Sequence, residues 1–283
     1  MENEQISVIG GGTMGRGIAY VAAVAGYTTV LNDVEQSCLD SARSWVEKIL
    51  GKGVEKGKVE AAEAPEVLER LSFVDDLEAA VRNATVIIEA VPENFELKKE
   101  LFAQADLFCG PDTLIASNTS SFSVSELAKS VERPDRFIGL HFFNPVHVMK
   151  LLEIVDGEET SDETIEDAEK LAEHLGKEAI IVRDTPGFAT SRLGVALGLE
   201  AIRMLEEDVA SAEAIDKAME LGYRHPMGPL RLTDLVGLDV RLGIADYLAS
   251  ELGERFAAPK LLRQMVEDGH LGQKSGRGFY DWS

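Results

Sequence analysis

A short apolar strand that runs straight into Gly10-Gly11-Gly12-Thr13-Met14-Gly15 limits what this chain can fold into more than any other feature. Gln5 to Ile9 reads as a buried strand, and Ile18 to Ala25 as a small, apolar helix beyond the turn. The glycines have separate jobs: a tight turn at Gly10, close approach of backbone to a pyrophosphate at Gly12, and close helix–strand packing at Gly15. The helix start offers amide N–H groups and a positive dipole end to phosphates. A second strand, Thr28 to Leu31, leads into Asn32 and Asp33, 23 residues after Gly10. An acid in that place bonds the adenosine ribose hydroxyls and repels a ribose phosphate, which predicts NAD(H) over NADP(H). The expected cofactor contacts here are Gly10, Gly12, Thr13, Met14, Gly15 and Asp33.

Strand and helix patterns go on alternating through the first two thirds of the chain. A polar helical stretch covers about Gln36 to Leu71, and strands follow at Ser72–Val74, Thr85–Glu89, Thr113–Ser117, Phe137–Leu140 and Leu151–Val155. Thr160 and Glu163 have capping-box spacing and predict a helix that Gly176 ends, before a last strand at Ala179–Val182. Asp184-Thr185-Pro186-Gly187 breaks the alternation. Beyond it only helical patterns occur: Ser191–Glu206, Ser211–Leu221, Thr233–Leu252 and Pro259–Asp268. The expected fold is α/β, a Rossmann-type doubly wound sheet domain over 1–186 followed by an all-helical C-terminal domain over 187–283.

Composition narrows the function. A formal net charge of −22 argues against nucleic-acid binding. No apolar run approaches the roughly 18 residues that suggest a membrane span. The acidic start has no basic, apolar leader pattern, and Cys38 and Cys109 have neither metal nor redox spacing. Reduced thiols in a cytoplasmic protein are the expectation, and the histidine spacings suggest no metal site.

The chemistry is concentrated in Gly139–Val155, GLHFFNPVHVMKLLEIV. His141 ends one apolar run, and Glu153 is a lone carboxylate inside another, where burial demands a partner. Should the two meet, they form an oriented general base able to take a proton from an alcohol. Taken by themselves, the neighbouring polar residues have plainer readings. Ser120 and Ser121 could cap the next helix, and Asn144 before Pro145 could be a turn residue. Glu93 could be a first-turn helix acid, and Lys98 a solvated helix lysine.

Several blocks in order nonetheless resemble the L-3-hydroxyacyl-CoA dehydrogenases, especially the short bacterial 3-hydroxybutyryl-CoA dehydrogenase type. They are the opening glycines, ATVIIEAVPENFELKKELF from Ala84, ASNTSSFSVSELA from Ala116 and RFIGLHFFNPVHVMKLLEIV from Arg136. DTPGF at Asp184, HPMGPLRLTDLVGLD at His225 and LGQKSGRGFYDW at Leu271 complete them, so the resemblance covers nearly the whole chain. It implies an NAD-dependent oxidoreductase that interconverts 3-hydroxyacyl-CoA and 3-oxoacyl-CoA. His141 would be its base and Glu153 the orienting acid. Ser120 would bond the substrate hydroxyl beside the nicotinamide, Asn144 would contact the cofactor, and Glu93 and Lys98 would line the dinucleotide. No metal is required. The resemblance also implies a homodimer formed through the helical domain, with substrate in a cleft between the domains.

One position departs from the family pattern. Where members usually carry asparagine, Ser191 stands, with a shorter side chain that keeps a hydroxyl donor. Ser191 is still expected to serve catalysis and substrate binding, with altered rate or acyl preference. For coenzyme A, the segment Lys48–Lys58 supplies Lys48, Lys52, Lys56 and Lys58, the first three at i,i+4 spacing. Lys56 is the preferred contact, since the family uses a lysine in this region; a solvated lysine face is the alternative. Two other functions share the fold: an NAD-dependent dehydrogenase of a free 3-hydroxy sugar acid, and an NAD-binding protein without activity. The HFFNPV run and the lysine segment favour the CoA substrate, and intact His141, Glu153 and Ser120 favour an enzyme.

Overall fold

The computed structural model describes residues 4–282, so Met1–Asn3 of the acidic start lie outside it. The chain divides into two compact units between Asp184 and Thr185. In the first, the elements run β1 (Gln5–Ile9), α1 (Thr13–Val24), β2 (Thr28–Asn32), α2 (Gln36–Glu55), α3 (Ala64–Glu69), β3 (Leu71–Val74), α4 (Leu77–Val81) and β4 (Val86–Glu89). They continue as α5 (Phe95–Phe108), β5 (Leu114–Ser117), α6 (Val124–Ala128), β6 (Phe137–Phe142), β7 (Leu151–Asp156), α7 (Asp162–His174) and β8 (Glu178–Arg183). One sheet holds all eight strands in the order β3-β2-β1-β4-β5-β6-β7-β8. Every neighbouring pair is parallel except β6 with β7.

Because the chain winds outward from β1 in both directions, β1 and β4 mark the point where strand order reverses. Ile9 pairs with Glu89 there, so the glycine turn leaves the sheet beside the exit of β4. Buried Ile6, Val8, Leu31, Ile88, Ala116, Ile138, Leu140 and Ile154 fix the sheet against its helices. The apolar face of α1, from Ile18 to Ala23, packs into the same core, which seats the helix start at the sheet's carboxyl edge.

The second unit is helical: α8 (Thr190–Glu206), α9 (Ala212–Tyr223), α10 (Pro229–Val236), α11 (Leu238–Leu252) and α12 (Lys260–Glu267). Its core joins Val195, Leu199, Ile202, Leu230, Leu238, Ala245, Leu248 and Leu262. Buried Asp234 accepts from Phe279 N, Tyr280 N and Trp282 Nε1, which ties the C-terminal tail to α10.

Several local expectations need correction. The helix read from Ile18 begins at Thr13, because the chain turns helical at once after Gly12. The stretch from Gln36 is two helices rather than one, and Leu71 already belongs to β3. Ser161, not Thr160, caps α7: its Oγ accepts from Thr164 N, while the Thr160 hydroxyl donates to Phe137 O. Thr233–Leu252 is broken by Gly237, whose φ of 102° no helix accommodates.

The glycine turn is also where one atom matters most. A Cβ on Gly15 would lie 1.7 Å from Gly10 O, a contact that no small adjustment of backbone relieves. Gly15→Ala is therefore expected to cost about 3 kcal/mol, the upper part of the usual overpacking range. It should also weaken NADH binding. Thermal melts and NADH fluorescence titration check this, and a wild-type Tm with unchanged affinity would refute the packing argument.

Candidate active site

Strand register brings His141 and Glu153 together. In the antiparallel β6–β7 pair, His141 lies directly opposite Glu153, so both side chains leave the sheet on the same face. His141 Nδ1 is 2.7 Å from Glu153 Oε2; the carboxylate is fully buried and the imidazole nearly so. An ionised carboxylate can only accept, so Nδ1 carries the ring hydrogen and Nε2 becomes the acceptor of the neutral ring. Nε2 is 3.1 Å from Ser120 Oγ. Ser120 lies just past the end of β5, the strand beside β6, so the hydroxyl and imidazole meet at one edge of the sheet.

Glu93 holds the Ser120 turn. Its Oε1 accepts from Thr119 Oγ1 at 2.6 Å, Ser120 N at 3.1 Å and Ser121 Oγ at 3.2 Å. Its Oε2 is 3.2 Å from Lys98 Nζ. Lys98 is only 1 % exposed, which corrects the solvated reading. Its second partner is Glu89, at 2.6 Å. Glu89 does not stand out among the sequence-based candidates, although a lone acid inside Val86–Val91 carries the same signal as Glu153. Burial pushes the Glu89 carboxyl up, against the opposing pull of Lys98, Ser117 and the Val91 amide. Asn118, also absent from those candidates, accepts from Phe142 N at 2.9 Å and so fixes the backbone next to His141.

The dinucleotide residues fit an anionic ligand. A Cβ at Gly12 would meet nothing within 4 Å, so the backbone there faces open space. Among the described residues, no side chain caps the start of α1, and no acid sits in its first turn. Thr13 is exposed, Met14 half-buried and Gly10 turned at φ 108° against Ala90. At the end of β2, Asp33 accepts from Gly11 N at 2.7 Å and from Glu35 N at 2.9 Å, which fixes its carboxylate beside the turn. Asn144 is exposed, two residues beyond Phe142 and the end of β6.

A separate cavity of about 470 Å³ gathers much of the lysine segment. Lys52, Lys56 and Lys58 line it together with Tyr20, His147 and His174. Lys48 is outside that lining, and Lys56 is the residue that ends α2 rather than part of its face. His147 lies edge-on to Tyr20 and Trp45. Ser191 sits in the second unit, in the first turn of α8.

Comparison with known proteins shows the family. Residues 5–185 match the family described as 3-hydroxyacyl-CoA dehydrogenase, NAD binding domain, and residues 187–282 match its C-terminal domain. The chain belongs to the 3-hydroxyacyl-CoA dehydrogenase family. It is an NAD-dependent oxidoreductase acting on the CH–OH group of its substrate. A probable 3-hydroxybutyryl-CoA dehydrogenase of Bacillus subtilis is 46 % identical over 283 residues, covering 100 % of this chain and 98 % of that one. A 3-hydroxybutyryl-CoA dehydrogenase of Clostridioides difficile is 41 % identical over 280 residues, covering 99 % of each. The crystal structure of (S)-3-hydroxybutyryl-CoA dehydrogenase from Ralstonia eutropha superposes with a TM-score of 0.96, at 39 % identity and 99 % coverage of both chains.

Burial lowers the pKa of His147 below 6.5, and Lys58, Lys177 and Lys56 add to the shift. The unfolded chain then binds a proton that the folded one refuses, so this residue takes away stability as pH falls below about 6.5 and adds nothing above about pH 7. His147→Phe is expected to flatten the loss of Tm between about pH 6.5 and 5 relative to wild type. Parallel melting curves in that window would show the assignment to be wrong.

Proposed function

We propose that the chain interconverts short-chain L-3-hydroxyacyl-CoA and 3-oxoacyl-CoA, with 3-hydroxybutyryl-CoA as the reference substrate and His141 as proton carrier. The observation that carries this reading is the line Ser120 Oγ, His141 Nε2, His141 Nδ1, Glu153 Oε2, at 3.1 and 2.7 Å. Gly10, Gly12, Thr13, Met14, Gly15 and Asp33 would hold NAD, with Glu93 and Lys98 lining the dinucleotide and Asn144 contacting it near the reacting ring. Bound NAD⁺ supplies the acceptor for the hydride leaving C3. Ser120 bonds the substrate hydroxyl and sets it against Nε2. His141 takes the hydroxyl proton while C3 becomes a carbonyl, and Glu153 stabilises the imidazolium and keeps the ring in register. In reduction the protonated ring returns that proton to the new alkoxide. Oxidation thus needs the neutral ring and reduction the charged one.

Lys56 meets the phosphates of coenzyme A from the lysine-lined cavity, and Ser191 supplies a hydroxyl to the acyl end. Two free cysteines accord with a reducing, cytoplasmic setting. Leu193, Val209, Leu221 and Tyr223 of the helical unit are between 58 % and 76 % exposed, apolar surface that a partner copy can cover. A homodimer through that unit covers it, and sedimentation should give twice the chain mass of 30.8 kDa. A monomer at micromolar concentration removes this part of the proposal.

The test is loss of NADH with acetoacetyl-CoA. His141→Ala should lower kcat by about 10³-fold, within the span of general acid–base catalysis. In the same assay Lys56→Ala should raise KM for acetoacetyl-CoA several-fold and leave the pantetheine analogue unchanged. Turnover that survives His141→Ala defeats the proton assignment. Equal effects on both thioesters defeat the one for Lys56.

A further inference from the structure

The reaction just described engages one buried acid, Glu153, and leaves a second without a task. Glu89 is fully buried at the end of β4, and both its carboxylate oxygens are taken. Oε1 accepts from Val91 N at 2.7 Å and from Lys98 Nζ at 2.6 Å, and Oε2 accepts from Ser117 Oγ at 2.7 Å. A charge pair wholly out of water is a poor source of stability, because desolvation cancels most of the attraction. Its value lies in geometry, and its bonds to Lys98 and Ser117 lead toward the reacting groups.

Two routes run from Glu89. Through Lys98, the pair reaches Glu93, whose Oε1 gathers Thr119, Ser120 and Ser121. Through Ser117 it reaches the other side of the same turn, since Ser117 Oγ accepts from Thr119 N at 3.3 Å. The backbone of Glu89 extends the second route: its carbonyl accepts from Asn118 N at 2.9 Å, and Asn118 Oδ1 accepts from Phe142 N beside His141. Ser120 and His141 are therefore both referred to one buried residue. Glu89 also pairs with Ile9 in the sheet, so the same residue stands beside the glycine turn.

We infer that Glu89 is a positioning residue for the reaction, holding Ser120 at its distance from His141 through Lys98–Glu93 and through Ser117. This rests on the proton-transfer reading of Ser120 and His141. Without the Glu89 charge, the Lys98 ammonium has Glu93 as its one remaining carboxylate among the described residues. It draws Glu93 away from the Ser120 amide, and the hydroxyl loses its fixed place. A shift of about 1 Å at reacting atoms can cost on the order of 10²-fold in rate.

Glu89→Gln keeps the side chain's shape and the bond from Val91 N, removes the charge, and reverses the Ser117 contact so that the amide NH2 donates to Ser117 Oγ. With acetoacetyl-CoA and NADH, kcat should fall between about 10-fold and 10²-fold. KM for acetoacetyl-CoA should stay within about twofold, since the lysine-lined cavity is untouched. The deuterium isotope effect on kcat, measured with C4-deuterated NADH, should rise as hydride transfer becomes slower than the other steps. A role in stability alone would lower Tm and leave kcat per folded molecule and the isotope effect as in wild type. That result overturns the inference. The route through Lys98 is tested by Lys98→Met and the double variant: if Lys98 relays the effect, the double is no slower than the slower single, whereas multiplying losses refute the relay. Should Glu89→Gln fail to fold, Glu93→Gln and its combination with Lys98→Met read the same route downstream under the same criterion. Wild-type protein that fails to oxidise NADH with acetoacetyl-CoA defeats the underlying reading. An active wild type with an unaffected Glu89→Gln defeats only the inference.

Discussion

The antiparallel register of β6 and β7 is the constraint on which the site depends. Every other neighbouring pair in the sheet is parallel, and this exception sets residue against residue with side chains on a shared face. A slip of one residue would turn His141 or Glu153 to the opposite side and bury an unpaired carboxylate at a cost of several kcal/mol. Leu140 and Phe142 on β6, with Leu152 and Ile154 on β7, guard against that slip, since the same movement would displace them from the core. Hydrophobic patterning therefore fixes the distance between His141 and Glu153. The precision of the chemistry is inherited from the packing of residues that do none of it.

Much of this is legible in the sequence because the chain breaks its own pattern at the points that matter. A charged residue inside an apolar strand is costly, so Glu153 announces a partner from sequence alone. Glu89 sends the same signal in Val86–Val91, yet its partner Lys98 sits on a helix whose neighbouring charges make it look solvated. A strand pair can be guessed from register, whereas a strand-to-helix contact across nine residues depends on how α5 packs. The alternation of strands and helices is equally readable, since buried parallel strands are short and apolar between polar helices. What pattern does not reveal is where a helix stops when both sides of the break are helical. Gly237 divides α10 from α11 through a positive φ, and hydrophobic periodicity runs on across it. Ser161 and Thr160 are both good caps by composition. The hydroxyl of Thr160 is claimed by Phe137 O and the Gly157 amide, a long-range fact that local sequence cannot carry.

The glycine turn and the catalytic edge are linked more closely than their separation in sequence suggests. Gly10 is pressed against Ala90, the residue after Glu89, and Ala90 N donates to Ile9 O at 2.7 Å. The glycine turn and the loop that presents Ser120 thus rest on consecutive residues of one strand exit. In a doubly wound sheet this follows from topology, because the crevice at the reversal of strand order lies where the central strands end. On the proposed reading, the residues for cofactor and substrate share these neighbouring exits as one rigid reference, which is what short-range hydride transfer demands.

A formal charge of −22 works against the binding of a dinucleotide and a coenzyme A thioester, both polyanions. Net charge acts at long range and is screened within about 8 Å at physiological salt, so local fields decide where phosphates settle. The first turn of α1 carries no acid of its own, so nothing within the helix opposes its amide ends and dipole. Three lysines line the cavity at the end of α2, and burial together with Lys58, Lys177 and Lys56 lowers the pKa of His147 beside it. A phosphate entering that cavity would reverse the local field and ease protonation of His147. An excess of acids over a surface repels phosphate and favours places where lysines or amide ends gather. The contrast between a basic pocket and an acidic surface steers a polyanion in a way that a neutral surface would weaken.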